Sequence, residues 1–215
     1  MNAFCTGIKG ARRHAGASLL AGCIACLVFF VPVASSQLQY DRDRIGAGEI
    51  WRLLTSHWTH WSAEHLFWDG AVFMVFFLWS LRINARYTWI ILGSASLVIP
   101  CGIYWLLPEM RYYRGLSGLD AALFAFVVMH LIRIMKRNED RTGRILSLIL
   151  LAGLGLKITF EAITGEAVFV GNMATDVIVV PLAHIIGVGI GLPAAYLTRL
   201  ANISAVPTAT FDPRM

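Results

Sequence analysis

Residues 117–135 read SGLDAALFAFVVMHLIRIM, with Asp120, His130 and Arg133 the ionisable side chains in an otherwise apolar run. A helix needs about 20 mostly apolar residues to cross the hydrocarbon core of a bilayer. The stretch therefore reads as a membrane span whose first turn is polar. Five comparable runs flank it, at about 17–36, 65–81 and 88–107 before it and 145–163 and 178–198 after it. Short polar turns such as RINAR (82–86) separate the runs and leave no room for a soluble domain. The expected architecture is an all-α polytopic membrane protein of six transmembrane helices. It has a cytoplasmic segment 1–16, a membrane domain 17–198 and a cytoplasmic tail 199–215.

Bulk composition agrees. Hydrophobic residues make up 57% of the 215 and charged residues 14%, where a soluble domain carries about 25% charged. Mean hydropathy is +0.65. The net charge of +5 sits in short clusters between apolar runs, with no basic stripe or nucleic-acid motif, so no nucleic-acid partner is expected. With the N-terminus inside, twelve lysines and arginines fall on inner segments and five (Arg42, Arg44, Arg52, Arg111 and Arg114) on outer loops. That bias predicts cytoplasmic termini. The loop 37–64 then faces outward, with Trp51, Trp58 and Trp61 suited to the interface and Asp41 to Arg44 too polar for burial. Cys23 and Cys26 lie in an apolar run and read as small hydrophobes rather than as a redox or zinc pair. The first run has basic residues before it and small residues after it, as a signal peptide does, but it exceeds the usual apolar length and reads as a retained helix.

Ionisable residues inside spans are functional candidates by default. Here they are His65, Asp69, Asp120, His130, Lys157, Glu161 and His184; Arg133, near an inner helix end, can snorkel. Gly115-Leu116-Ser117-Gly118 opens the fourth span. Glycines around a serine expose its hydroxyl beside backbone N–H donors, as a nucleophile requires, although a serine at a helix start is also a common cap. His184 stands in AHIIGVGIG (183–191), where Gly187 and Gly191 form a small face that admits a neighbouring helix. The fourth span offers Gly118, Ala121, Ala122 and Ala125 as its match. Both helices run inward, and Ser117 and His184 lie near their outer starts, so the two sit at one depth. A serine and histidine in reach of each other perform acyl transfer, the imidazole taking the hydroxyl proton. Lys157 and Glu161, four residues apart, are read as a structural pair that neutralises itself in the bilayer.

These motifs resemble those of the rhomboid intramembrane serine proteases. G-L-S-G opens the fourth span, A-H-x-x-G-x-x-x-G lies in the sixth, and EIWRLLT (49–55), His60 and HLFWD (65–69) are similar to the family's first outer loop and second helix. The resemblance covers residues 17–198 and implies a six-helix rhomboid-like bundle. It implies that Ser117 attacks a peptide carbonyl in a cavity open to the outer face, with His184 as base and no cofactor. His65 and the Ser117 N–H would stabilise the oxyanion beside Asp69, Gly115 and Gly118, while Trp51 and Arg52 would hold the outer loop at the interface. Substrates would be single-pass or C-terminally anchored proteins of the inner membrane bilayer. A narrower resemblance, through GEIWRLLT (48–55), the compact body and the Lys157–Glu161 pair, is to rhombosortases, the bacterial branch associated with Gly-Gly C-terminal anchors.

Two positions depart from the pattern. Asp69 stands where the family usually has Asn, and Ala121 where an aromatic usually stacks on the histidine. Asp69, one turn below His65, is expected to line the cavity as a neutral acid that donates a hydrogen bond, the rival reading being a charged partner of His65 or a loop cation. The rival readings are an inactive rhomboid-like binder of membrane segments, a metal enzyme built on His57, His60, His65 and Asp69, and a transporter using Lys157 and Glu161. His57 has no counterpart in the resemblance and is expected at the interface.

Overall fold

The computed structural model describes Gly16, Leu20 and residues 22–168 and 180–204. The expected cytoplasmic segment and the far end of the tail lie outside the described residues, apart from Gly16. The first apolar run forms helix α1 (22–30), an interruption at Val31 and α2 (Pro32–Leu38). Pro32 sits at the start of α2, where a missing N–H costs nothing. The run expected as one helix is therefore two pieces.

A two-residue strand β1 (Tyr40–Asp41) pairs antiparallel with β2 (Tyr112–Tyr113), Tyr40 opposite Tyr113. Between them lie α3 (Arg42–Gly46), capped by Asp41 accepting from Asp43 N and Arg44 N, then α4 (Arg52–Thr55) and a 3-10 turn at Ser56–Trp58. α5 (Ala63–Leu106) is 44 residues long, about 66 Å if straight, twice the hydrocarbon thickness. It is not straight. Asn84 is extended (φ −164°, ψ 103°) and its Oδ1 accepts from Tyr87 N, capping the second arm. The rings of Phe77 and Trp89 lie 5.4 Å apart, whereas twelve residues of helix rise about 18 Å, so the chain folds back at the RINAR turn. The spans expected at 65–81 and 88–107 are the two arms of α5.

α6 (Ser117–Arg137), α7 (Arg141–Thr164) and α8 (Pro181–Ser204) complete the bundle. Residues 178 and 179 of the expected sixth span lie outside the described residues. Among the described residues four helices are long and apolar enough to cross a membrane, and the break at Asn84 divides the longest, α5, into two arms. The protein is an all-α polytopic membrane protein. α6 is its axis, 56% of its most apolar window being buried against 11% for α7. Leu119, Leu123 and Phe126 of α6 meet Phe77, Ile91 and Ile99 of α5 in the core.

α8 lies parallel to α6 along the small-residue face. A Cβ on Gly187 would collide with the Gly118 carbonyl oxygen and stand 3.1 Å from Ala122 N, and one on Gly191 would collide with the Ala122 carbonyl. A Cβ on Gly118 would lie 3.1 Å from Ala183 O. At the far end the Arg133 guanidinium donates to the Ala195 carbonyl and lies 5.4 Å from the Tyr196 ring. Arg133 therefore ties α6 to α8 instead of snorkelling freely.

Candidate active site

Asp41 to Arg44 of the outer loop, expected to be too polar for burial, are half-buried or exposed, but the later part of the loop is packed into the protein. Arg52, Ser56, His57, Thr59 and His60 are all buried. The Arg52 guanidinium donates from Nη1 to the Ser36 and Gln39 carbonyls, each at 3.0 Å, and from Nε to Glu49 Oε2 at 2.7 Å. It thereby fastens the loop to the end of the first helical run, while its neighbour Trp51 is exposed. His57 is a buried brace rather than an interfacial residue. Its Nε2 lies 3.2 Å from Ser96 O on α5, and its Nδ1 3.4 Å from Gly115 O, which also accepts from Tyr113 OH. Burial pushes the His57 imidazole down to about 4, so the ring is neutral. Much of the loop's polarity is satisfied internally, which lets the segment be buried, while the Tyr40 hydroxyl and the His60 ring nitrogens have no hydrogen-bond partner among the described residues.

This platform supports the turn before α6. Gly115 N donates to Ser56 O at 3.3 Å, and Gly115 has φ +120°, a conformation that favours glycine. Space demands glycine as well, since a Cβ would stand 2.9 Å from His65 Nε2 and 3.0 Å from Asp69 Oδ2. Leu116 N donates to Asp69 Oδ2 at 2.9 Å. The same oxygen lies 3.1 Å from His65 Nε2 and 3.6 Å from His60 Nε2. Asp69 Oδ2 therefore faces donors, the arrangement of an acceptor oxygen. Burial lowers the affinity of loop residue His60 for a proton, opposing the pull of Asp69.

The N-cap position of α6 is Leu116, and Ser117 is the first residue of the helix rather than its cap. The leading N–H groups of a helix have no partners within it, and they carry its partial positive charge. Ser117, His65, Asp69, Asp120, Ala121, Lys157, Glu161 and His184 all line one cavity of about 650 Å3. Apolar residues of three helices, among them Val72, Phe76, Phe124 and Leu154, form much of the rest. The packing of Ala183 on Gly118 sets His184 beside Ser117 in depth. His184 is buried, and neither its Nε2 nor the Ser117 hydroxyl has a hydrogen-bond partner among the described residues. His184 Nδ1 lies 3.0 Å from Glu161 Oε2, a charge contact not aligned as a hydrogen bond. Glu161 Oε1 accepts from Lys157 Nζ at 2.7 Å, as the spacing implies. The contact from Glu161 to His184 was not foreseen from sequence. Asp120 Oδ1 is buried without a hydrogen-bond partner among the described residues.

Not every candidate reaches the cavity. His130 lines a separate groove with Arg82 and Ile134. His57 turns to Ser96 and Gly115, away from Asp69. Among the described residues no three His, Cys, Asp or Glu side chains converge as metal ligands. Cys23, Cys26 and Cys101 are free thiols.

A folded-back helix pair and two glycine-packed helices enclose a largely apolar cavity into which a few ionisable side chains project. The Rhomboid domain family matches residues 47–201, well over half of the chain. The chain belongs to the rhomboid family. No curated protein matches it significantly.

Proposed function

We propose that the protein is an intramembrane serine protease that uses Ser117 as nucleophile and His184 as general base. One observation carries this reading: the Ser117 hydroxyl and the His184 imidazole line the same cavity, and neither the hydroxyl nor Nε2 is engaged elsewhere among the described residues. Apo catalytic pairs are often open and close only on substrate. In the proposed reaction Ser117 Oγ bonds to the scissile carbonyl carbon while its proton passes to His184 Nε2. The carbonyl oxygen becomes an oxyanion, held by the Ser117 N–H and by the His65 Nε2–H, which turns from Asp69 Oδ2 to donate to it while Nδ1 accepts from Trp61 N. The imidazolium then protonates the leaving amine, and water repeats the sequence on the acyl-enzyme. Asp69 serves as a carboxylate that fixes the Leu116–Ser117 backbone and the His65 ring. Gly115 and Gly118 let backbone and helix approach the site.

The substrates are membrane-anchored proteins cut near the outer face of the inner membrane, with both termini of the protease cytoplasmic, as the lysine and arginine bias supports. GEIWRLLT (48–55) supports the narrower reading of a rhombosortase acting on Gly-Gly C-terminal anchors. Ala121 and Asp69 favour the second reading, an inactive binder of membrane segments, because each departs from the family pattern at the cavity wall. Incubating the purified protein in detergent with single-span and Gly-Gly-anchored substrates, beside Ser117→Ala, separates the two. A protease cleaves and the variant does not; a binder retains substrate uncut in both.

A further inference from the structure

The cavity holds a buried carboxylate that the two-residue mechanism does not use. Glu161 of α7 is 2% exposed, and its two oxygens face different partners: Oε1 the Lys157 ammonium at 2.7 Å, Oε2 the His184 Nδ1 at 3.0 Å. Neutralising Lys157 requires only the first contact. A carboxylate placed between an ammonium and an imidazole in a low-dielectric bundle also acts on the imidazole. An ionised carboxylate accepts hydrogen bonds and donates none, whereas neutral imidazole carries one proton on one of two nitrogens. A carboxylate at Nδ1 therefore keeps the proton there and leaves the Nε2 lone pair free. Neither ring nitrogen makes an aligned hydrogen bond among the described residues, but Nδ1 faces the Glu161 carboxylate at 3.0 Å.

We propose that Glu161 is a positioning residue for His184, completing a Ser117–His184–Glu161 triad with Lys157 as a counter-ion that moderates it; this rests on the protease reading above. During attack the Ser117 proton moves to Nε2, the Nδ1 proton stays on the ring, and Glu161 remains ionised while the imidazolium turns to align with Oε2. It fixes the tautomer and stabilises the cation, the part a buried carboxylate plays in soluble triads. The position of Glu161 on a different helix from both Ser117 and His184 makes α7 part of the machinery. Titratable and charged groups that share the cavity with His184 are Glu161 and Lys157 from α7, Asp120 from α6, His65 and Asp69 from α5 and Arg114 before α6.

The test is the rate of fluorophosphonate labelling at Ser117 against pH, for wild type, Glu161→Gln, Lys157→Met and the double variant in one detergent. Loss of the carboxylate should slow labelling on the order of 100-fold. It should also move the acid limb of the profile to lower pH, because the imidazolium loses its stabilising charge while Lys157 remains. Lys157→Met should move the limb to higher pH. The double variant, free of any uncompensated charge on α7, should fold and stay slow. Labelling of Glu161→Gln at the wild-type rate with an unmoved limb overturns the proposal. So does recovery of the wild-type rate in the double variant, which would show that Glu161 serves Lys157 alone. Should Glu161→Gln lose its fold, the double variant decides. A folded wild type that takes no label at Ser117 removes the protease reading and this proposal with it, an outcome distinct from either of those.

Discussion

Replacing Gly187 by Ala inserts one methyl group where α8 crosses α6. The new Cβ would overlap the Gly118 carbonyl oxygen and stand 3.1 Å from Ala122 N. Both obstacles are backbone, which cannot rotate aside as a side chain does. The helices must separate by on the order of 1 Å, and overpacking of this kind costs about 1–3 kcal/mol. For a chain of this size that lowers Tm by about 2–12 °C, at 2–4 °C per kcal/mol. The same separation withdraws His184 from Ser117, and a misplacement of about 1 Å can cost about 100-fold in rate. Gly189→Ala is the internal control, since a Cβ there has nothing within 4 Å, and removing a helical glycine is favourable by about 0.5–1 kcal/mol. Thermal unfolding and fluorophosphonate labelling are measured on the three proteins in the same detergent. Gly187→Ala should lose both stability and labelling while Gly189→Ala keeps both. Wild-type behaviour from Gly187→Ala would refute the packing argument and the placement of His184 that depends on it.

Three further perturbations probe the platform. Asp69→Asn should stay folded and label Ser117 without extension to higher pH, because an amide oxygen still accepts from Leu116 N, whereas Asp69→Leu should lose labelling; extension of the Asn profile to high pH would instead point to a neutral acid at Asp69. Arg52→Ala removes a buried guanidinium bonded to the Ser36 and Gln39 carbonyls and should cost about 3 kcal/mol, read as a lower Tm and faster proteolysis within residues 39–60; an unchanged Tm would show that the loop is held elsewhere. Folded His57 stays neutral down to pH about 4 while the unfolded ring takes a proton near 6.5, so its contribution is intact above pH 6.5 and falls by about 3 kcal/mol as pH drops to 4. Wild-type Tm should decline across that window and His57→Asn should decline less; parallel curves would assign the acid sensitivity to other groups.

Much of the architecture is legible in the chain because it depends on local pattern. The turn at RINAR follows from polar residues between apolar runs, and Asn84 is where the helix breaks. The close approach of α6 and α8 follows from glycine and alanine spacing, since a helix without side chains on one face meets its neighbour there. Contacts that depend on long-range packing are not legible in this way. His57 lies in a stretch whose composition suits an interface, and only the return of α5 toward the loop, bringing Ser96 within 3.2 Å, buries it. Arg52 and Arg133 look like ordinary interfacial cations until the carbonyls of Ser36, Gln39 and Ala195 are placed opposite them. Glu161 shows the limit best. Its spacing from Lys157 reveals one oxygen's partner, but the other oxygen's partner depends on how α7 is rotated against α8, which no periodicity within α7 states. The role of Asp69 follows the same rule, because its nearest donor is the backbone of a residue on another element.

In the proposed protease Ser117 is the nucleophile and His184 activates it. Mass-spectrometric mapping of the fluorophosphonate adduct on the folded protein tests this assignment in one measurement, made on wild type, Ser117→Ala and His184→Ala with unfolding curves recorded alongside. Residues that act as a unit lose nearly the whole effect when either is removed. A single adduct on Ser117 is expected in wild type, and none in either variant at unchanged Tm. A folded wild type without adduct, or a His184→Ala variant labelled at the wild-type rate, would contradict the account.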